Sequence, residues 1–319
     1  MKSSNKVALV VGASRGIGRQ IALDLARNKY KGQGPEFVVA AKSMSDASKV
    51  VPFPPNPNSP NSTINTVERE IREAGDDATA VQVDTRDFES VQRLVEQTIE
   101  IYGRIDVLIY NSGAIWWASV AETPMKRFQL MQRVNPEGLY ATVQATLPHM
   151  TKQRQGRILV VSPPIYSRFF RGKTAYAMGK IGMSVLTKGL AMDLERQGLD
   201  EIAITSLWPA VAIESAATEA FIQQNPDEAR DLRKPTIFSD AILEILRAPA
   251  KVVNGMLALD EDFLRDHAGV TDFSAYSVVA GAQPRRIMPA DLPDLTVAEQ
   301  DDEGRTHDSS RTTKGRSKI

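Results

Sequence analysis

The chain has 319 residues, 42% of them apolar, and its 39 basic and 39 acidic side chains cancel. That length holds one large α/β domain or two small ones, and the charge balance gives no reason to expect a nucleic-acid partner. With no cysteine and only His149, His267 and His307, none at ligand spacing, the sequence offers no disulfide framework, thiol nucleophile or metal site.

Taken in chain order, Val7 to Val11 is a short apolar run ended by Gly12, the pattern of a parallel strand buried on both faces. The start of the chain runs directly into this strand and its glycine-rich turn, so no signal peptide is expected. Ile17, Ile21, Ala22 and Leu25 follow at helical spacing, giving a helix from Ile17 to Asn28. Phe37–Ala41 is a second strand. The proline- and asparagine-rich stretch 50–63 has no periodicity and is expected to be a long, mobile loop.

Alternation then resumes. Helices are expected at Thr66–Ala74, Phe88–Tyr102, from Pro124 onward and at Ala175–Leu194. Strands are expected at Ala78–Val83, Ile105–Tyr110, Ile158–Val161, Ile202–Leu207 and Met256–Leu259. This order predicts a single doubly wound α/β domain over residues 1–283, with a mostly parallel seven-stranded sheet. Residues 284–319 read as a polar, disordered tail. No apolar run approaches the ~20 residues of a membrane span.

The first strand-to-helix turn is Gly12-Ala13-Ser14-Arg15-Gly16-Ile17-Gly18. Glycines there permit a tight turn and let backbone N–H groups at a helix N-terminus meet a pyrophosphate. At the end of the second strand stands Lys42, where a carboxylate selecting a ribose 2′-hydroxyl is often found. Lys42 and Arg15 together favour a 2′-phosphate, hence NADP; alone, Lys42 would be a solvated strand-end lysine. Asp84 is placed either to accept from an adenine amino group or to serve as an acid before the helix at Phe88. Asn111-Ser112-Gly113 ends the fourth strand with residues small enough for close passage of a cofactor. Tyr176 and Lys180, four residues apart, share a helix face one turn from each other.

The glycine-rich turn, Asn111, Asn135 and the Tyr176/Lys180 pair, in this order, resemble the short-chain dehydrogenase/reductase superfamily from about Lys6 to Asp260. The resemblance implies a Rossmann fold, a nicotinamide cofactor, Tyr176 as general acid/base, Lys180 on the nicotinamide ribose and lowering the tyrosine pKa, and Asn135 holding a proton-relay water. An ammonium ~4 Å from a phenolate contributes roughly 4 kcal/mol at an effective dielectric of about 20, enough for such tuning. Asn135 precedes Pro136, where a helix should be perturbed.

Three departures stand out. The usual catalytic serine position is Pro163, with Ser162 one residue earlier either as substrate-oxygen donor or as a hydroxyl satisfied within the sheet. Tyr110 replaces the first asparagine of the usual pair, and Pro209-Ala210 replaces Pro-Gly, leaving backbone near Ile213 to hold the nicotinamide amide. A catalytically impaired NADP-binding regulatory or scaffold protein is therefore the alternative to an enzyme.

Ile64–Ile71, Ser162-Pro163-Pro164, Leu207-Trp208-Pro209 and Asp272–Tyr276 further resemble a hydroxysteroid-dehydrogenase-like subfamily. That implies NADP, lipid metabolism and a peroxisomal or mitochondrial setting; its longer members add a sterol-carrier domain, for which this chain ends too soon. Ser317-Lys318-Ile319 approximates the Ser-Lys-Leu peroxisomal address, implying peroxisomal import through a receptor, with cytoplasm or mitochondrion as alternatives. Trp116, Trp117, Phe169, Phe170, Trp208 and Phe221 follow strand C-terminal ends, where they either pack in the core or bind an apolar carbonyl or alcohol. Family resemblance implies a homo-oligomer through the helices at Phe88–Tyr102 and Pro124–Lys152.

Overall fold

A computed structural model describes residues 5–27 and 36–296. Asn28 and the terminal run Ser317-Lys318-Ile319 lie outside those residues. Seven parallel strands form one sheet in the order β3-β2-β1-β4-β5-β6-β7. They are β1 (Val7–Val11), β2 (Glu36–Ala41), β3 (Ala78–Gln82), β4 (Val107–Tyr110), β5 (Gly156–Val161), β6 (Ile202–Trp208) and β7 (Leu257–Leu259). Every residue of β1 is buried, and its side chains divide by strand alternation. Ala8 and Val10 join a core under α1 (Gly16–Arg27), α2 (Ile64–Glu73) and α8 (Thr236–Arg247). Val7, Leu9 and Val11 face a second core under α3 (Phe88–Tyr102), α5 (Gly138–Gln153) and α6 (Thr174–Arg196). A continuous apolar run is therefore what this strand requires.

The helix expected from Pro124 is divided. Pro124 precedes α4 (Met125–Gln132), a π-helical turn spans Arg133–Glu137, and α5 continues from there. Pro136, which has no N–H to donate, lies in the π turn. The Tyr110 hydroxyl donates to the Val134 carbonyl. Tyr110 fits because the facing residue is Gly138, where a Cβ would fall 2.4 Å from the phenolic oxygen.

Two irregular segments make contacts distant in sequence. The proline-rich stretch 50–63 is fastened to the glycine-rich turn: Gly16 N donates to the Pro57 carbonyl at 2.9 Å and Ser62 Oγ to the Ser14 carbonyl at 2.7 Å. Arg69 stacks on Phe53 at 3.7 Å from the ring centroid. The boundary expected at 283 falls inside a packed segment. Ile287 N and Met288 N donate to the Ala210 carbonyl, Arg286 pairs with Asp262, and Met288 is buried. Chain reversal against Ala210, rather than apolar periodicity, holds this segment.

Candidate active site

The strand order turns at β1 and β4, and a cleft opens beyond their C-terminal ends, where such sheets take ligands. Its volume is about 720 Å³. Gly12 leaves β1 with φ +91°, and a Cβ there would lie 2.5 Å from Ser112 N. Gly18 packs beneath it, where a Cβ would lie 2.2 Å from the Gly12 carbonyl oxygen and 2.5 Å from Asn111 Nδ2. Asn111 Nδ2 also donates to the Gly12 carbonyl at 3.0 Å, so the fourth strand braces the turn after the first.

Gly12, Ser14, Arg15, Gly16, Ile17, Lys42, Asn111, Tyr176 and Lys180 all line this one cleft. Ala13 is buried behind the turn, its N–H donating to the Ala40 carbonyl. Asp84 is outside the lining. Its carboxylate accepts from Arg86 Nε at 2.8 Å and from Lys42 Nζ at 3.1 Å, and the Arg86 guanidinium holds its pKa well below the usual carboxylate range. The acid at the start of α3 is Asp87, which accepts from Glu89 N, and not Asp84.

Tyr176 and Lys180 lie on the first turns of α6, 3% and 4% exposed. Lys180 Nζ donates to the Val161 carbonyl at 2.7 Å. A side chain at Gly113 would approach both Lys180 Nζ and Asn135 Oδ1 to 3.5 Å, so these three positions converge. Asn135, fully buried in the π turn, accepts from Ala114 N at 2.8 Å and donates to the Ala114 carbonyl at 3.1 Å. Among the protein's own groups burial dominates this pair. It pulls Lys180 down to about 7 and pushes the Tyr176 phenol above its ordinary value, opposite to the lowering expected for tyrosine.

Ser162 is not among the residues that line the cleft. It is fully buried, and its hydroxyl accepts from Ser184 Oγ of α6 at 3.0 Å; Ser184 also contacts the Pro163 carbonyl at 2.6 Å. Val161 lines the cleft, so strand alternation sends its neighbour's side chain inward.

Trp116, Trp117, Trp208 and Phe221 line the cleft, whereas Phe169 is buried behind it and Phe170 is not among the lining residues. Trp117 stacks on Phe221 at 6.1 Å and meets Tyr176 edge-on at 6.3 Å. Ile115, Ser215 and Ala217 also line it and were not anticipated. Ser215 carried a readable signal, a capping box with Thr218 at the start of α7 (Ala216–Gln224).

The fit to a dinucleotide is good on the chain's own geometry. Two glycines admit no side chain, a helix N-terminus faces the cleft, and Arg15 and Lys42 supply positive charge there. No group of three or more histidine, aspartate or glutamate side chains suited to a metal occurs among the described residues. No helix among them is long and apolar enough to cross a membrane.

The family model for short chain dehydrogenase matches residues 57–226. Hydroxysteroid dehydrogenase-like protein 2 of Danio rerio is 35% identical over 274 residues, covering 85% of this chain and 60% of that protein. The Homo sapiens protein of that name is 34% identical with the same coverage of each. The chain thus spans about three-fifths of the length of these curated relatives. Among solved structures, a short chain dehydrogenase from Mycobacterium thermoresistibile is 34% identical, with TM-score 0.75, covering 91% of this chain and 96% of that one. The chain belongs to the short-chain dehydrogenase/reductase family.

Proposed function

We propose that the protein is an NADP-dependent oxidoreductase that interconverts an alcohol and a carbonyl on an apolar, lipid-derived substrate. The observation that carries this reading is the burial of Tyr176 and Lys180 in one cleft with the glycine-rich turn. The nicotinamide, when bound, supplies or accepts the hydride. Tyr176 gives its proton to the carbonyl oxygen in reduction and recovers it in oxidation. A phenol held protonated by burial suits the first role. Lys180 binds the nicotinamide ribose and, as an ammonium, favours the phenolate needed in the reverse direction. Asn135 fixes Ala114 beside this pair and, in this reading, positions the water that relays protons.

Lys42 and Arg15 support NADP over NAD, since both line the cleft and either can meet a 2′-phosphate. Trp117, Trp208 and Phe221 support an apolar substrate. Exposed Ile101 and Tyr140 on α3 and α5 support self-association, which light scattering would measure. A peroxisomal setting belongs to the same reading and is checked by following a reporter that carries Ser317-Lys318-Ile319.

One observation favours the second reading, an NADP-binding regulatory or scaffold protein with impaired turnover: Ser162 is committed to Ser184 and offers the cleft no hydroxyl. Assaying NADPH oxidation against medium- and long-chain carbonyls separates the two. Turnover supports the enzyme; tight NADPH binding with no turnover of any carbonyl supports the regulatory protein.

A further inference from the structure

The loop before α6 carries Arg168, Arg171 and Lys173, and no aspartate or glutamate occurs anywhere between Glu137 and Asp193. Most arginines elsewhere pair with a carboxylate, among them Arg19, Arg69, Arg86, Arg104, Arg233 and Arg286. Among the described residues, none of the three cations of this loop forms a salt bridge.

Lys173 is the most telling of them. Its Nζ sits 4.2 Å above the Phe169 ring, and that ring packs on Tyr176 at 6.3 Å and on Trp208 at 5.8 Å. The side chain is half-buried, and burial lowers its pKa with no neighbouring carboxylate to oppose the shift. Arg127, an exposed side chain, lies 4.6 Å above Trp116 of the cleft wall and forms no salt bridge. Two cations thus lie on rings of the cleft wall or packed against it, outside the lining itself, and no carboxylate of the described residues pairs with either.

We infer that the substrate is an anionic amphiphile: its apolar body lies against Trp117 and Phe221, its carbonyl or alcohol meets Tyr176, and a carboxylate or phosphate on it pairs with Lys173 and Arg127. The inference rests on the cleft being the substrate site. It adds what the apolar walls alone do not specify, a fixed negative charge on the substrate. An uncharged sterol or a neutral ketone would leave both cations unpaired, whereas an anionic end completes them with charge-assisted hydrogen bonds.

Trp116 and Trp117 report occupancy of the cleft through their fluorescence. Wild-type protein with NADP+, which has no hydride to give, is titrated with a medium-chain oxo acid, with its methyl ester, and with the matching oxoalkyl phosphate. The acid or the phosphate should bind at least about tenfold more tightly than the ester, and added salt should shrink the difference. Whichever anion binds more tightly identifies the source of the charge. Lys173→Met combined with Arg127→Gln should bring the anion to the affinity of the ester, and Lys173→Arg should retain most of the preference. Equal binding of acid, phosphate and ester to the wild type overturns the inference, and so does an anion preference that survives the double substitution. The wild-type comparison alone decides the matter if the double variant fails to fold. Because binding is read without turnover, failure of the oxidoreductase reading would appear separately, as no carbonyl-dependent NADPH oxidation.

Discussion

Lys180 donates from its Nζ to the carbonyl oxygen of Val161 at 2.7 Å, which ties α6 to the end of β5. Burial brings this lysine to about 7, below its ordinary value. Near pH 8 it is therefore largely neutral, and a polyanionic cofactor bound beside it favours the charged form and raises its pKa. Binding of NADPH should then take up a proton at about pH 8, whereas near pH 6 the lysine already holds it. Calorimetry in buffers of different ionisation enthalpy measures the uptake, and the difference from Lys180→Met isolates this lysine. Equal proton uptake in both proteins at pH 8 would show that Lys180 does not sense the cofactor.

Ser162→Ala removes a hydroxyl that Ser184 engages inside the protein, not one that faces the cleft. The expected cost is about 1 kcal/mol of stability, read by denaturant unfolding, with kcat nearly unchanged. A fall in kcat of about a hundredfold or more would place the hydroxyl at the reacting oxygen.

The sheet was legible because its strands are buried on both faces. Val7–Val11 and Phe88–Tyr102 fall where the apolar pattern puts them, and the perturbation at Asn135-Pro136 appears as a π turn. Spacing along one element was legible: Tyr176 and Lys180 lie one turn apart on α6 and both line the cleft. It was not legible where a side chain's direction depends on distant partners. Ser162 turns toward Ser184, 22 residues away, and Tyr110 finds its place because Gly138 leaves room for its hydroxyl. The 50–63 stretch has no periodicity, and the hydrogen bonds that fasten it reach back to Ser14 and Gly16. No local pattern encodes such bonds.

Gly18→Ala places a methyl 2.2 Å from the Gly12 carbonyl oxygen and 2.5 Å from Asn111 Nδ2. Backbone on one side leaves little room to yield, so the variant should lose about 1–3 kcal/mol of stability. NADPH affinity should fall with it, because the turn that faces the cofactor must open. Unfolding curves and cofactor titration that both match the wild type would contradict this packing.

Lys42→Asp removes the partner that reaches Asp84 at 3.1 Å and puts a negative charge on the cleft lining. The Lys42 side chain is 66% exposed, so the stability change should be small. The ratio of NADPH to NADH affinity should fall by more than about tenfold, or 1.4 kcal/mol. A ratio that stays fixed would make Arg15 the residue that meets the 2′-phosphate.

Tyr176→Phe tests the central claim most directly, because it deletes one hydroxyl from the cleft and leaves the ring contacts with Trp117 and Phe169 in place. The measurement is the rate of carbonyl-dependent NADPH oxidation, alongside NADPH affinity, for the variant and the wild type. The account predicts a loss of about a hundredfold or more in rate with NADPH affinity nearly unchanged. A variant that oxidises NADPH at the wild-type rate would show that the proton comes from another group and that Tyr176 is not the acid/base.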